Sequence, residues 1–125
     1  MAGERILVVE DNEKSTKLLR DVLLATGYRP VEAATGSQAV ELAAIHAPAL
    51  VLMDIQLPDL DGVSALGRLR ANERTASIPV LAVTAQAMQG DRERLLAAGF
   101  DGYLSKPVDV IELLDTVRQH CSATL

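Results

Sequence analysis

Leu50-Val51-Leu52-Met53-Asp54 is a run of four apolar residues closed by a single acid. An unbroken apolar run of this length, without polar alternation, fits a strand covered on both faces, as in the interior of a parallel sheet. A carboxylate ending such a strand is costly to bury without a partner. A neighbouring cation is therefore expected at Asp54.

Working outward, four more short runs rich in Val, Ile and Leu read as strands: Ile6-Leu7-Val8-Val9, Pro30 to Ala34, Val80 to Val83 and the weaker Gly102 to Leu104. Five longer segments of helical period separate and follow them. Such alternation is the pattern of an α/β fold, with helices on both faces of a five-stranded parallel sheet. The first helix takes Asn12 as N-cap, carries Leu18, Leu19, Val22 and Leu23 on one face and ends at Gly27, where a left-handed residue is easiest. The second opens on a capping box, Thr35 with Gln38, and has the narrow stripe Ala39, Val40, Ala43 and Ala44. The third follows Asp61-Gly62 with Val63, Leu66 and Leu69; the fourth runs from about Gln86 to Ala98 and stops at Gly99. The fifth follows Lys106-Pro107, with Asp109 and Glu112 as a capping box and Val110, Leu113, Leu114, Val117 and Cys121 facing inward.

The 125 residues suffice for one domain with a real core. No linker, repeat or low-complexity run divides them, so residues 1–125 are expected to form a single domain without an attached output domain. Apolar residues make up 49% of the chain but never approach the roughly 18 in a row that a membrane span requires. The N-terminus, Met1-Ala2-Gly3-Glu4-Arg5, lacks the pattern of a signal peptide, which points to the cytoplasm. Cys121 is the only cysteine, so neither an internal disulfide nor a cysteine metal framework can form. A net charge of −5 and only three aromatics, Tyr28, Phe100 and Tyr103, argue against direct nucleic-acid binding.

Ligands of open α/β sheets bind beyond the carboxyl ends of the strands, and right-handed crossovers bring all those ends to one edge. At that edge stand Glu10 and Asp11 after the first strand, Asp54 after the third, Thr84 after the fourth, and Ser105-Lys106-Pro107 after the fifth. Carboxylates with open positions left for water and phosphate suit Mg²⁺. A metal there would leave Asp54 ionised as a nucleophile, and Lys106 and the Thr84 hydroxyl would stabilise transferred phosphoryl oxygens. Each residue alone has a plainer reading. Asp11 or Asn12 could cap a helix, Asp54 could start a loop, Thr84 could end a strand, and Lys106 could be solvated. Their convergence is the signal.

Four segments carry a family resemblance: Val8-Val9-Glu10-Asp11-Asn12, Leu52 through Gly62, Pro79 through Ala85, and Lys106-Pro107. In order and spacing the chain resembles response-regulator receiver domains, and is similar to stand-alone cell-cycle and phosphorelay receivers. The resemblance implies a flavodoxin-like strand order 2-1-3-4-5 and three α/β/α layers with five helices. It implies that Asp54 accepts a phosphoryl group from a histidine kinase or histidine phosphotransfer protein. Asp11, Asp54 and the Gln56 carbonyl would bind Mg²⁺, with Glu10 assisting through water, and Lys106 would pair with the phosphoryl oxygens. Thr84 and Tyr103 would switch the surface of helix four, strand five and helix five toward a downstream effector protein. The Lys106-Pro107 bond would be cis. Gln56 and Gln86 would set water access to the phosphoaspartate, and the small Ala85 would leave the pocket open to a partner histidine.

Glu10 stands where many receivers carry an aspartate, which changes its reach toward a metal. Tyr103 equally suits a surface aromatic on an edge strand, and Ala87 with Met88 suits either a partner patch or core filling. His46 and His120, at helix ends, fit solvated or dipole-pairing roles. A constitutive binding module is a rival reading, opposed by the intact set Asp11, Asp54, Thr84 and Lys106. An aspartyl-phosphate hydrolase would carry a second acid two residues after its nucleophile, where Gln56 stands, and no phosphate loop for nucleotides is present. The start at Met1 just before the first strand, and the end just after the fifth helix, favour an independent protein over a piece of a hybrid kinase.

Overall fold

The computed structural model describes residues 3–85 and 91–122. Strands β1 (Arg5–Val9), β2 (Arg29–Ala33), β3 (Leu50–Asp54), β4 (Val80–Thr84) and β5 (Gly102–Ser105) alternate with helices α1 (Glu13–Ala25), α2 (Gly36–His46), α3 (Gly62–Ala71), α4 (Asp91–Ala98) and α5 (Val110–Ser122). All strand pairs are parallel, in the order β2-β1-β3-β4-β5, as expected. Gln86, Ala87 and Met88 lie outside the described residues.

Side chains alternate across the sheet, so each central strand feeds two cores. Leu7, Val9, Val51, Met53, Val80 and Ala82 face α2, α3 and α4, where Ala39, Ala43, Leu66, Leu69 and Leu95 cover them. Ile6, Val8, Leu50, Leu52, Leu81 and Val83 face α1 and α5, where Leu19, Leu23, Leu113, Val117 and Cys121 close the layer. Burying a side chain of this size contributes roughly 1.5–3 kcal/mol relative to exposure. The edge strands are less covered: in β2 only Ala33 is buried, and in β5 only Leu104.

Three expected inward positions turn outward. Leu18 is 42% exposed, Val63 38% and Val110 40%. Each lies at the margin of a stripe whose centre is filled by a neighbour: Leu19 and Leu23 in α1, Ala65 and Leu66 in α3, Leu113 in α5. Val22, Val40, Ala44 and Leu114 are half-buried.

Three caps follow the side chains expected: Asn12 and Thr35 accept from the amides of Ser15 and Gln38, and Asp109 accepts from Glu112 N–H at 3.1 Å. Asp61 also caps α3, accepting from the amide of Ser64. Gln38 does not complete the capping box on Thr35. Its Oε1 accepts instead from Ala34 N–H at 2.8 Å, and β2 ends one residue earlier than expected, at Ala33. Gly27 follows α1 at φ 92°, in the left-handed region, as its sequence position required.

Candidate functional site

Asp54 is the last residue of β3 and is itself paired in the sheet, opposite Val83 of β4. Its carboxylate is buried. Oδ1 accepts from Gln56 N–H at 3.0 Å, and Oδ2 accepts from Lys106 Nζ at 3.1 Å. The cation expected beside Asp54 is therefore part of the chain.

Lys106 is aimed into the site by its own backbone. Its N–H donates to the carbonyl of Thr84 at 2.8 Å, continuing the β4–β5 ladder, and the next bond, to Pro107, is cis. The ammonium then reaches past Asp54 to Glu10 Oε1 at 2.6 Å. At that distance the two charges form a close ion pair with Glu10 Oε1 almost wholly buried. Glu10 Oε2 accepts from Asn12 N–H at 3.1 Å.

Burial pushes the Glu10 carboxyl above its ordinary pKa. Asp54 beside it acts in the same sense, and Lys106 and the Asn12 amide only partly offset them. Burial pulls the Lys106 ammonium down, but its pairing with Glu10 and Asp54 outweighs that and holds it above its ordinary value. Two acids thus share one cation in a low-dielectric site, where an additional positive charge is favoured.

Asp11 adds a third carboxylate, on the exposed side. One oxygen from each of Glu10, Asp11 and Asp54 lies within 4.8 Å of the others. These residues open on a cleft of about 370 Å³ that Gln56, Ala85 and Lys106 also line. Hard oxygen donors beside open space fit Mg²⁺, which retains water and takes few protein ligands. The three carboxylates outnumber the one ammonium that Glu10 and Asp54 share, so the donor set suits a divalent ion.

Thr84 ends β4, buried. Tyr103 is half-buried on the edge strand β5 and packs against the core under α3 and α4. Neither histidine lines the cleft: His46 sits in the last turn of α2, and His120 Nδ1 is 2.9 Å from the Thr116 carbonyl. What the sequence reading missed is the pairing of Lys106 with Glu10. No periodic signal could have found it, because it joins residues almost at opposite ends of the chain.

A model of the response regulator receiver domain matches residues 6–118. The chain belongs to the response regulator receiver family. As a receiver it is 43% identical over 115 residues to the polar-differentiation response regulator DivK of Brucella ovis, covering 92% of this chain and 94% of that one. Among solved structures it resembles the receiver domain of the sensor histidine kinase PA1611 of Pseudomonas aeruginosa, at 41% identity and a TM-score of 0.89, covering 97% of this chain and 99% of the other. That structure has a magnesium ion coordinated in its active-site cleft. The receiver domain of the Francisella response regulator 1452 superposes with a TM-score of 0.91 at 26% identity, covering 98% and 100%. Among the described residues, no helix is long and apolar enough to cross a membrane.

Proposed function

We propose that this receiver accepts a phosphoryl group on Asp54 from the phosphohistidine of a histidine kinase or histidine phosphotransfer protein, with Mg²⁺ held by Asp11, Asp54 and the Gln56 carbonyl. The observation that carries this reading is the Lys106 ammonium lying between Glu10 and Asp54, beside the acid cluster and its open cleft. A carboxylate oxygen of Asp54 attacks phosphorus, the phosphorus–nitrogen bond breaks, and the electron pair leaves with the imidazole nitrogen of the donor. The product is an acyl phosphate. Bound Mg²⁺ would supply charge neutralisation for the phosphoryl oxygens.

Lys106 is already half-buried and oriented, so it can exchange its contact with Asp54 for one with a phosphoryl oxygen at little reorganisation cost. Thr84, at the neighbouring strand end, offers a hydroxyl to another. Ala85 at the rim leaves room for a donor imidazole. Converting the singly charged Asp54 carboxylate to an acyl phosphate of about −2 adds roughly one negative charge, which biases a two-state equilibrium in which Thr84 moves toward the phosphoryl group and Tyr103 turns inward. The surface of α4, β5 and α5 then changes for a downstream effector protein, in the cytoplasm, through protein contacts. The receiver catalyses only its own phosphorylation and dephosphorylation.

Incubation with radiolabelled phosphoramidate and Mg²⁺, with Asp54→Asn as control, tests this. Labelling of the unaltered protein that the variant abolishes is expected. Undiminished labelling of Asp54→Asn sinks the assignment.

A further inference from the structure

The loop from β3 to α3, residues 55–61, carries Gln56 and is gripped at both ends. At its far end Gly62 N–H donates to the Ile55 carbonyl at 3.0 Å, closing the loop on itself. A Cβ on Gly62 would lie 2.7 Å from the Asp54 carbonyl oxygen, so glycine lets α3 start directly against the backbone of Asp54. Leu57 and Leu60 point down onto the core under α2 and α3.

The second grip comes from α2. Asp59, exposed and 23 residues away, accepts from Gly36 N–H at 2.9 Å through Oδ1, and its Oδ2 is 3.4 Å from Ser37 N. The helix does not depend on Asp59 for its only cap, because Thr35 already accepts from Gln38 N–H. Gly36 is pressed against the loop: a Cβ there would collide with the Leu60 carbonyl oxygen and lie 2.8 Å from Leu60 Cβ. The Ser37 hydroxyl, with the amides of Gly36, Leu60 and Ser37, holds the Asp59 carboxyl below its ordinary range. A carboxylate is favoured at this end of a helix by the unpaired amides and the dipole.

Gln56 and Asp59 are separated by Leu57 and Pro58 alone, and proline removes one backbone torsion from that short span. Fixing Asp59 therefore fixes the peptide planes back to Gln56. We infer that Asp59 is a positioning residue for the metal site, holding the loop of residues 55–61 against the N-terminus of α2 so that the Gln56 carbonyl faces the carboxylates and Mg²⁺ binds tightly. This rests on the reading of Gln56 as a ligand given above.

Calorimetric titration with MgCl₂, beside thermal melts in EDTA, tests the inference on the full chain. Asp59→Ala should weaken Mg²⁺ binding about tenfold, the lower end of what loss of a residue supporting a metal ligand costs. Asp59→Asn keeps an oxygen for Gly36 N–H and should recover most of the affinity. Gly36→Ala displaces the loop without touching the carboxylate and should weaken binding as Asp59→Ala does. A purely structural role would lower the melting temperature of Asp59→Ala and leave the Mg²⁺ affinity of the folded protein within twofold, which overturns the inference. Equal loss in Asp59→Ala and Asp59→Asn also overturns it. Absence of Mg²⁺ binding in the unaltered chain overturns the metal-site reading itself and is seen before any variant is made.

Discussion

The Lys106 ammonium is 2.6 Å from Glu10 Oε1, nearer than its 3.1 Å to Asp54 Oδ2, so the deepest acid of the site holds the lysine more closely than the proposed acceptor does. Glu10 restrains Lys106 and burdens the fold at once. Its raised pKa means that the folded state binds its proton more tightly than the unfolded chain does. The Glu10 contribution to stability therefore falls as pH rises from its ordinary 4.5 through the raised value. Glu10→Gln mimics the protonated form at every pH. In EDTA, its melting temperature relative to the unaltered protein should rise between pH 4 and pH 8, while its Mg²⁺ affinity falls. A constant difference across that range would contradict the sign.

In the proposed site Mg²⁺ would be held only by the folded arrangement, because the carboxylates of Glu10 and Asp11 follow β1 and that of Asp54 ends β3, far away in sequence. At a hundred times its dissociation constant, the ion should add about 2.7 kcal/mol of stability. Chemical denaturation with MgCl₂ and with EDTA measures this. Asp11→Asn should abolish most of the difference and leave the EDTA curve nearly unchanged, because Asp11 is exposed.

At the opposite edge of the sheet Arg70 ties three segments together. Its Nη1 donates to the carbonyls of Ala76 and Ile78, at 3.0 and 2.6 Å, and its Nη2 reaches Asp101 Oδ2 at 2.9 Å. Asp101 also accepts from Val80 N–H at 2.8 Å. Arg70→Ala should cost about 1–3 kcal/mol in urea denaturation, the range for charged donors serving partly buried acceptors. Mg²⁺ affinity should not change, since the starts of β4 and β5 lie away from the cleft.

Gly62→Ala places a methyl 2.7 Å from the Asp54 carbonyl oxygen and 2.9 Å from Ile55 Cα, both backbone atoms with little freedom to yield. A loss of about 1–3 kcal/mol is expected from the overpacking. Phosphoryl uptake from phosphoramidate should slow in the folded fraction, because the strain falls on the residue that bears the acceptor.

The α/β class was legible because short apolar runs alternate with segments of helical period, and the strand order followed from the resemblance of the four motif segments to receiver domains. Boundaries were less so. β3, β4 and β5 each run one residue further than their apolar stretches, to Asp54, Thr84 and Ser105. Backbone ladder bonds continue whatever the side chain, so hydropathy stops before the strand does. The exposure of Leu18, Val63 and Val110 escaped for the reverse reason: apolar character says that a side chain can be buried, and only packing says whether room exists. At the site, residue types and strand-end positions pointed to Asp54, Asp11 and Lys106. The closer hold of Glu10 on Lys106 and the reach of Asp59 to α2 are contacts between distant segments with no local signature.

The identity of the acceptor is tested most directly by trapping the phosphorylated protein. After reaction with phosphoramidate and Mg²⁺, borohydride reduction converts an aspartyl phosphate to homoserine, which peptide mass spectrometry locates by position. Homoserine at residue 54, absent when EDTA replaces Mg²⁺, is the expected result. A modified residue elsewhere, with Asp54 intact, would contradict it.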